Sequence, residues 1–348
     1  MNIGLIVYGS LDTLSGGYLY DRKLVEYLHS QGDTVEIISL PWRNYAAHLT
    51  DNFHFRLPTK LDILIQDELN HPSLIFANRG RHAYPVISLV HHLRSSELRP
   101  NWKNAFYSWV EKFYLNSVDG FIFNSKTTEQ VVNELVKQRK PGVVGFPPTD
   151  RFGDPLSDDE IIERAKVDQF RILFLGNVIY RKGLHTLLEA VGNLSGKFHV
   201  DVVGSLHADP NYARHMQGFV QANGLASHVT FHSSLDKEPL IETLKQAHVL
   251  AVPSSYEGFG IVYLEGMGFG LPAIATTAGA AGEIIEHGKT GFLIQSGDSR
   301  SLAGHLKSLM EDRITLTRLS LNARGRYRRQ PSWMETARAI RGFLFSML

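Results

Sequence analysis

The chain has 348 residues, 43% of them hydrophobic, with 36 lysines and arginines against 35 aspartates and glutamates and a formal net charge of +1. That length exceeds what one hydrophobic core usually organises, so two domains are expected. The near-zero charge gives no overall drive toward nucleic acid, although a local basic patch stays open. The sequence contains no cysteine, which excludes a disulfide framework, a thiolate metal site and a cysteine nucleophile. No apolar run approaches the ~20 residues that cross a bilayer, and Met1 to Val7 reads directly as a strand rather than a leader. A soluble cytoplasmic protein is expected, with peripheral attachment to a membrane left open.

In chain order, Ile3 to Val7 reads as a buried strand, Gly9 to Gly17 as the loop after it, and Tyr18 to Ser30 as a helix with Leu24, Val25 and Leu28 on its apolar side. Val35 to Leu40 is the next strand. The first loop lacks G-x-G-x-x-G, so a dinucleotide fingerprint is absent; Ser15-Gly16-Gly17 is by itself ordinary turn chemistry before a helix. Leu61 to Gln66 and Tyr84 to Val90 are further strands, followed by Asp67-Glu68-Leu69-Asn70-His71 and by His91-His92. In a parallel sheet both polar clusters share the carboxyl edge, where ligands bind. No recognisable metal-binding motif stands behind these residues, so no metal site is assigned. Asn101 to Asn116 is helical, with Trp102, Phe106, Trp109 and Phe113 in a stripe that reads either as core packing or as a lipid-facing surface. Asp119 to Phe123 is a strand capped into a helix by Asn124-Ser125-Lys126, and Gly142 to Phe146 is a short strand. Pro147 to Pro155 has no periodicity and reads as a connection between domains, followed by a charged helix from Asp158 to Lys166.

A second α/β domain begins with the strand Phe170 to Leu175 and the loop Gly176 to Gly183, which carries Arg181-Lys182 ahead of a helix through Leu187, Leu188 and Val191. Two cations at such a junction suit a diphosphate, or form a solvated pair. Strands Phe198 to Val203 and Val229 to His232 end in Gly204-Ser205 and His232-Ser233; helices are expected near Asn211 to Asn223 and Leu240 to Ala247. After the strand Val249 to Val252 comes Tyr256-Glu257-Gly258-Phe259-Gly260-Ile261-Val262-Tyr263-Leu264-Glu265. Here bare glycine backbone leads into a helix start whose amides favour anions, between two carboxylates able to grip hydroxyls. Gly288-Lys289-Thr290-Gly291 fails as a phosphate loop, since Glu283 takes the earlier glycine position and a strand follows. From Arg313 onward there are eight arginines and one acid, Glu335. Such a basic run could touch acidic lipid headgroups or water alone; with no stacking-aromatic module, nucleic acid is not expected as a partner.

The spacing of Glu257 and Glu265 resembles the E-x7-E motif of family 4 retaining glycosyltransferases, the glycosyl transferases group 1. The resemblance is strong from Phe170 to Asp298 and looser before it. It implies two doubly wound Rossmann-like α/β domains facing across a cleft (GT-B): an acceptor-side domain over residues 1–155, a nucleotide-sugar donor domain over 168–330, and a helix over 331–348 crossing back to the first. It further implies a retaining, metal-independent hexosyltransferase of polysaccharide or glycolipid biosynthesis, with no bound cofactor. A UDP- or GDP-sugar would be the donor and the hydroxyl of a saccharide or glycolipid the acceptor. By resemblance, His91 and Glu257 hold the donor sugar, while Lys182 and Arg181 clamp its diphosphate. The loop at Gly16 and Gly17 and the segment Gly258, Phe259, Gly260, Ile261 and Val262 border the diphosphate and sugar. Glu265 takes the ribose, and Gly204, Ser205 and His232 wrap the base. Asp67, Glu68 and Asn70 are candidate acceptor contacts. The chain departs from the family pattern at Asn177, where an arginine is usual, and at Ser233, where a glycine is usual. Asn177 keeps open a nucleotide-sugar binding protein without transferase activity, and the shared architecture keeps open a sugar epimerase.

Overall fold

The computed structural model describes the chain apart from residues 14, 81, 149 and 153–155. The chain divides into two compact units, Met1–Pro148 with Pro331–Leu348, and Thr149–Gln330.

The first unit runs β1 (Asn2–Tyr8), α1 (Gly16–Ser30), β2 (Thr34–Leu40), α2 (Tyr45–Asp51), β3 (Ile63–Asp67), α3 (His71–Leu74), β4 (Val86–Val90), α4 (Asn101–Leu115), β5 (Gly120–Phe123), α5 (Lys126–Leu135) and β6 (Gly142–Val144). Its six strands are parallel in the order β2-β1-β3-β4-β5-β6. β3 and β4 are buried at every residue, as a parallel sheet covered on both faces requires. The run Ile63, Leu64 and Ile65 feeds two cores: Leu64 joins Leu74, Val110 and Tyr114 on one face, and Ile63 and Ile65 join Leu24 and Leu28 on the other. The last helix, Trp333–Ser346, starts with a capping box between Ser332 and Glu335 and lays Ala337, Ile340 and Leu344 into that second core beside α1.

The stripe on α4 is not core. The helix buries Val110, Glu111, Tyr114 and Leu115, and leaves Trp102 70%, Trp109 59%, Phe106 43% and Phe113 40% exposed.

The second unit runs α6 (Asp158–Ala165), β7 (Phe170–Leu175), α7 (Leu184–Val191), β8 (Phe198–Val203), α8 (Pro210–Ala222), β9 (Val229–Ser233), α9 (Lys237–Gln246), β10 (Val249–Ala251), α10 (Ile261–Gly268), β11 (Ala273–Thr276), α11 (Ala281–Ile284), β12 (Gly291–Ile294), α12 (Ser299–Glu311) and α13 (Arg313–Tyr327). Its parallel order is β12-β11-β10-β7-β8-β9. The chain leaves β7 in one direction and returns at β10 on its other side, so the loops after these neighbours diverge and open a crevice at the carboxyl edge.

The boundary between units falls at Pro148, earlier than the expected residue 155. Phe152 packs edge-on against Phe269 at 5.9 Å, and Arg164 on α6 donates to the carbonyls of Phe269 at 2.7 Å and Gly270 at 2.9 Å. The charged helix is therefore an integral layer of the second unit and not a linker. The arginines before Pro331 are likewise engaged within this unit: Arg328 meets Asp158 at 3.3 Å, Arg329 meets Glu286 at 3.5 Å, and Arg326 donates to the Glu283 carbonyl at 3.3 Å.

Candidate active site

In the second unit the loops after β7 and β10 meet around Glu257. The first loop makes a turn at Tyr180–Lys182, and Gly183 follows it with φ +75°. A Cβ on Gly183 would strike the Pro253 carbonyl, so only glycine lets the two loops close on each other. A backbone hydrogen bond from Ser255 N–H to the Arg181 carbonyl, 2.8 Å, fastens them. Lys182 Nζ then lies 2.6 Å from Glu257 Oε1, and an Arg181 guanidinium nitrogen 3.6 Å from Oε2. Ser254 Oγ donates to the same Oε1 at 2.6 Å, and Arg181 donates to the Tyr256 carbonyl at 2.8 Å. Burial alone would raise the Glu257 carboxyl, but Lys182 and Arg181 outweigh it and hold it down at about 2. Burial in turn lowers the Lys182 ammonium, against the pull of Glu257. Asn177 is exposed, and the guanidinium beside Glu257 comes from Arg181 in the same loop.

α10 begins at Gly260, φ +93°, with no side-chain cap, so its first amides are left for another acceptor. Phe259 is buried. Glu265, in the middle of α10, is buried and ion-paired at 2.8 Å with Arg151, whose side chain is 47% exposed. Burial pushes the Glu265 carboxyl up, against Arg151. Gly204 sits against the Gly176 carbonyl with no room for a Cβ, and the Ser205 carbonyl accepts from Val178 N–H at 3.0 Å, which ties the loop after β8 to the loop after β7. His232 is held by Asp201, Nε2 to Oδ1 at 2.8 Å, so its ring is oriented by the sheet. Ser233 has φ +57°, alone among the described non-glycine residues in being positive; the left-handed geometry explains why a glycine would be usual there.

In the first unit, His91 follows β4 and bonds Asp21 of α1, Nε2 to Oδ1 at 3.0 Å. Burial would depress its imidazole, but Asp21, Asp67 and Glu68 together raise it to about 9. Gly17 lies against this ring, where an added Cβ would come within 3.3 Å of Cδ2. Asp67 is buried, pushed up to about 7 by burial and by Asp21. Asn70 is fully buried within hydrogen-bonding distance, 3.2–3.3 Å, of the Asp67 and Ile6 carbonyls and the Tyr8 amide. Asp67 and Asn70 are thus internal struts rather than surface contacts for an acceptor. Glu68 alone of the three lines a cavity, of about 390 Å³, with Tyr8, Trp42, Arg43, Tyr45 and Arg94. Two groups have ligating atoms within 4.8 Å of one another, Asp21 with Asp67 and His91, and Glu68 with His71 and Glu111. In each the imidazole is already bonded: His91 to Asp21, and His71 to the Glu68 carbonyl at 3.0 Å and the Tyr45 hydroxyl at 2.9 Å. Asp21, Arg151 and the Trp42–Tyr45 loop are the site residues that the sequence did not single out.

Residues 157–326, most of the second unit, match the family of glycosyl transferases group 1. The D-inositol 3-phosphate glycosyltransferase of Xylanimonas cellulosilytica is 29% identical over 198 residues, covering 55% of this chain and 47% of that protein. The lipopolysaccharide core biosynthesis glycosyltransferase LpsE of Rhizobium meliloti is 26% identical over 315 residues, 85% of this chain and 86% of LpsE. Against the first two curated relatives the match spans under half of their length, 47% and 37%. Among solved structures, sucrose-phosphate synthase of Thermosynechococcus elongatus superposes with a TM-score of 0.81 at 21% identity, over 99% of this chain and 98% of that one. Anabaena Alr3699/HepE, solved in complex with UDP and glucose, gives 0.77 at 19% identity, over 99% and 100%. The fold is that of the GT-B glycosyltransferases. The resemblance to the glycosyl transferases group 1 lies in the second unit.

Proposed function

We propose that the protein is a retaining glycosyltransferase that moves a hexose-type sugar from a nucleotide-diphosphate sugar to an acceptor hydroxyl. The observation that carries the reading is the Lys182–Glu257–Arg181 cluster, 2.6 and 3.6 Å, beside the uncapped start of α10. In this reading the bond from the sugar's anomeric carbon to the diphosphate breaks, and one to the acceptor oxygen forms on the same face. Lys182, Arg181 and the amides of α10 stabilise the negative charge that builds on the diphosphate. Glu257 holds the sugar's hydroxyls and Glu265 the ribose. Two fixed cations take the part a metal ion plays elsewhere, so no metal is required. UDP is the favoured carrier, supported by the UDP bound in HepE, with GDP next.

The test is a thermal-shift series of UDP- and GDP-sugars, followed by nuclear magnetic resonance of the stabilising donor as it is hydrolysed. Release of the same anomer supports retention; the opposite anomer refutes it. Conversion of the donor to another sugar would instead mark an epimerase, and stabilisation without turnover on any acceptor a binding protein.

We further propose peripheral binding to an acidic membrane surface through α4, on the cytoplasmic side. Phe53, Phe76, Phe113, Trp109 and Phe106 form a chain of exposed rings, with Arg79 over both Phe76 and Phe113 at 5.7 and 5.6 Å. Lys103 and Lys112 are the helix's outward charges, while Glu111 is buried; exposed aromatics ringed by cations suit an anionic interface. No helix among the described residues is long and apolar enough to cross a membrane. Phosphatidylglycerol vesicles should co-sediment the protein and fail to co-sediment Trp102→Ala/Trp109→Ala; a concentration-dependent dimer that the same variant abolishes would assign the face to self-association instead.

A further inference from the structure

The cavity at the carboxyl ends of β1 to β4 holds one cation that its neighbours do not satisfy. Arg43 is ion-paired with Asp51, and Arg99 with Glu97 at 2.6 Å. Arg94, which lines the cavity with Arg43, has no carboxylate within 4 Å among the described residues, and its Nε is buried without a hydrogen-bond partner. It is held instead by the faces of two rings, Tyr107 at 4.8 Å and Tyr45 at 5.2 Å. Stacking fixes the plane of a guanidinium and leaves its N–H edge for an acceptor. Glu68 acts on this guanidinium only from beyond contact, and a partly buried guanidinium with no anion in contact is costly, a cost that a ligand supplying one recovers.

The rest of the cavity has the chemistry of sugar recognition. Trp42, 64% exposed and in T-shaped contact with Tyr8 at 5.5 Å, lines the cavity with an indole of the kind that stacks on the C–H side of a pyranose. Glu68 is buried, and its carboxyl makes no hydrogen bond among the described residues, although His71 Nδ1 is 2.9 Å away. The volume of about 390 Å³ lies in the range of small-ligand sites, roughly 300–1,000 Å³.

We infer that this cavity takes the acceptor, and that the acceptor is a saccharide bearing an anionic substituent, a phosphate or a carboxylate, which Arg94 grips while Trp42 stacks on the ring and Glu68 bonds a hydroxyl. The inference rests on the glycosyltransferase reading for the word acceptor, but the binding it describes does not. Arg94 is then the residue that sets acceptor specificity.

The test uses hexose 6-phosphates, hexuronic acids and the neutral hexoses as probes, titrated calorimetrically and then offered as acceptors with the established donor. Wild type should bind one anionic series at least tenfold more tightly than the neutral hexoses; which of the two, phosphate or carboxylate, identifies the substituent. Arg94→Gln should abolish that preference, and Arg94→Lys should restore part of it, with circular dichroism and thermal midpoints reporting the fold of both. Equal binding of charged and neutral sugars, binding of none, or an unchanged preference in Arg94→Gln would overturn the inference. Donor hydrolysis by wild type without acceptor separates these outcomes from failure of the transferase reading: if it occurs while no probe binds, only the acceptor class is wrong.

Discussion

Replacing Lys182 by methionine removes the cation and keeps most of the stem, which packs beside Gly176, where an added Cβ would meet Lys182 Cε at 3.4 Å. Glu257 would keep Ser254 and the more distant Arg181 but lose its partner at 2.6 Å. Folded, this carboxyl sits at about 2 against an ordinary value of 4.5, a difference worth roughly 3 kcal/mol. Its folded value is the lower one, so its contribution to stability is full above 4.5 and is lost as pH falls toward 2. In Lys182→Met burial dominates and the carboxyl rises, so that contribution shrinks and its loss moves to higher pH. Urea unfolding at pH 7 should show a deficit of up to ~3–5 kcal/mol, the usual cost of breaking a buried pair, and a smaller deficit against wild type at pH 3. Turnover should fall about 10²- to 10³-fold, the loss expected when one preorganised charge is withdrawn from a developing anion. Glu257→Gln in the same background should recover stability without recovering turnover. A folded Lys182→Met variant with kcat near wild type would refute the diphosphate clamp. A carboxyl resonance of Glu257 still titrating near 2 would refute the pairing.

Glu265→Ala should weaken nucleotide binding by about tenfold or more, the scale of hydrogen bonds to a charged group, read as KM and by calorimetry with kcat less affected. Asp21→Asn should lower the imidazole of His91 from about 9, since its main stabilising charge is removed; the alkaline limb of the pH–rate profile then moves to lower pH, and an unmoved limb would mean His91 is not needed charged. Gly204→Ala, forced against the Gly176 carbonyl, should cost at least ~2 kcal/mol in denaturant unfolding and reduce nucleotide binding. Ser233→Gly should stabilise by up to ~1 kcal/mol by relieving a left-handed serine; a lower melting temperature would show that its hydroxyl is structurally required.

The order of strands and helices was legible because buried parallel strands read as short apolar runs, and the loop glycines mark their ends. Glu257 and Glu265 were legible because two acids at fixed spacing across a strand–helix junction have few structural uses. Asp21 was not, since a single aspartate on an amphipathic helix looks solvated until packing places it under His91 at 3.0 Å. Arg151 lies in an aperiodic run whose partner is 114 residues away. Asp67 and Asn70 looked like cleft residues because they follow one another at a strand end, yet Asn70 turns back onto Ile6 and Tyr8 of β1, and of the three acceptor candidates only Glu68, itself buried, lines a cavity. The α4 stripe was left with two readings for a related reason: periodicity reports a shared face and does not say which side it points.

The Arg151–Glu265 pair, 2.8 Å, has a consequence for turnover. If Glu265 holds the ribose as proposed, a nucleoside must first expel an arginine from the same chain, present at a fixed and high effective concentration. Its apparent affinity is lowered by whatever the internal pair is worth. The leaving nucleotide meets the reverse situation, because the arginine returns to the vacated carboxylate and makes rebinding compete with it. The chain thus carries its own competitor for the ribose, which trades tight donor capture for faster clearing of product.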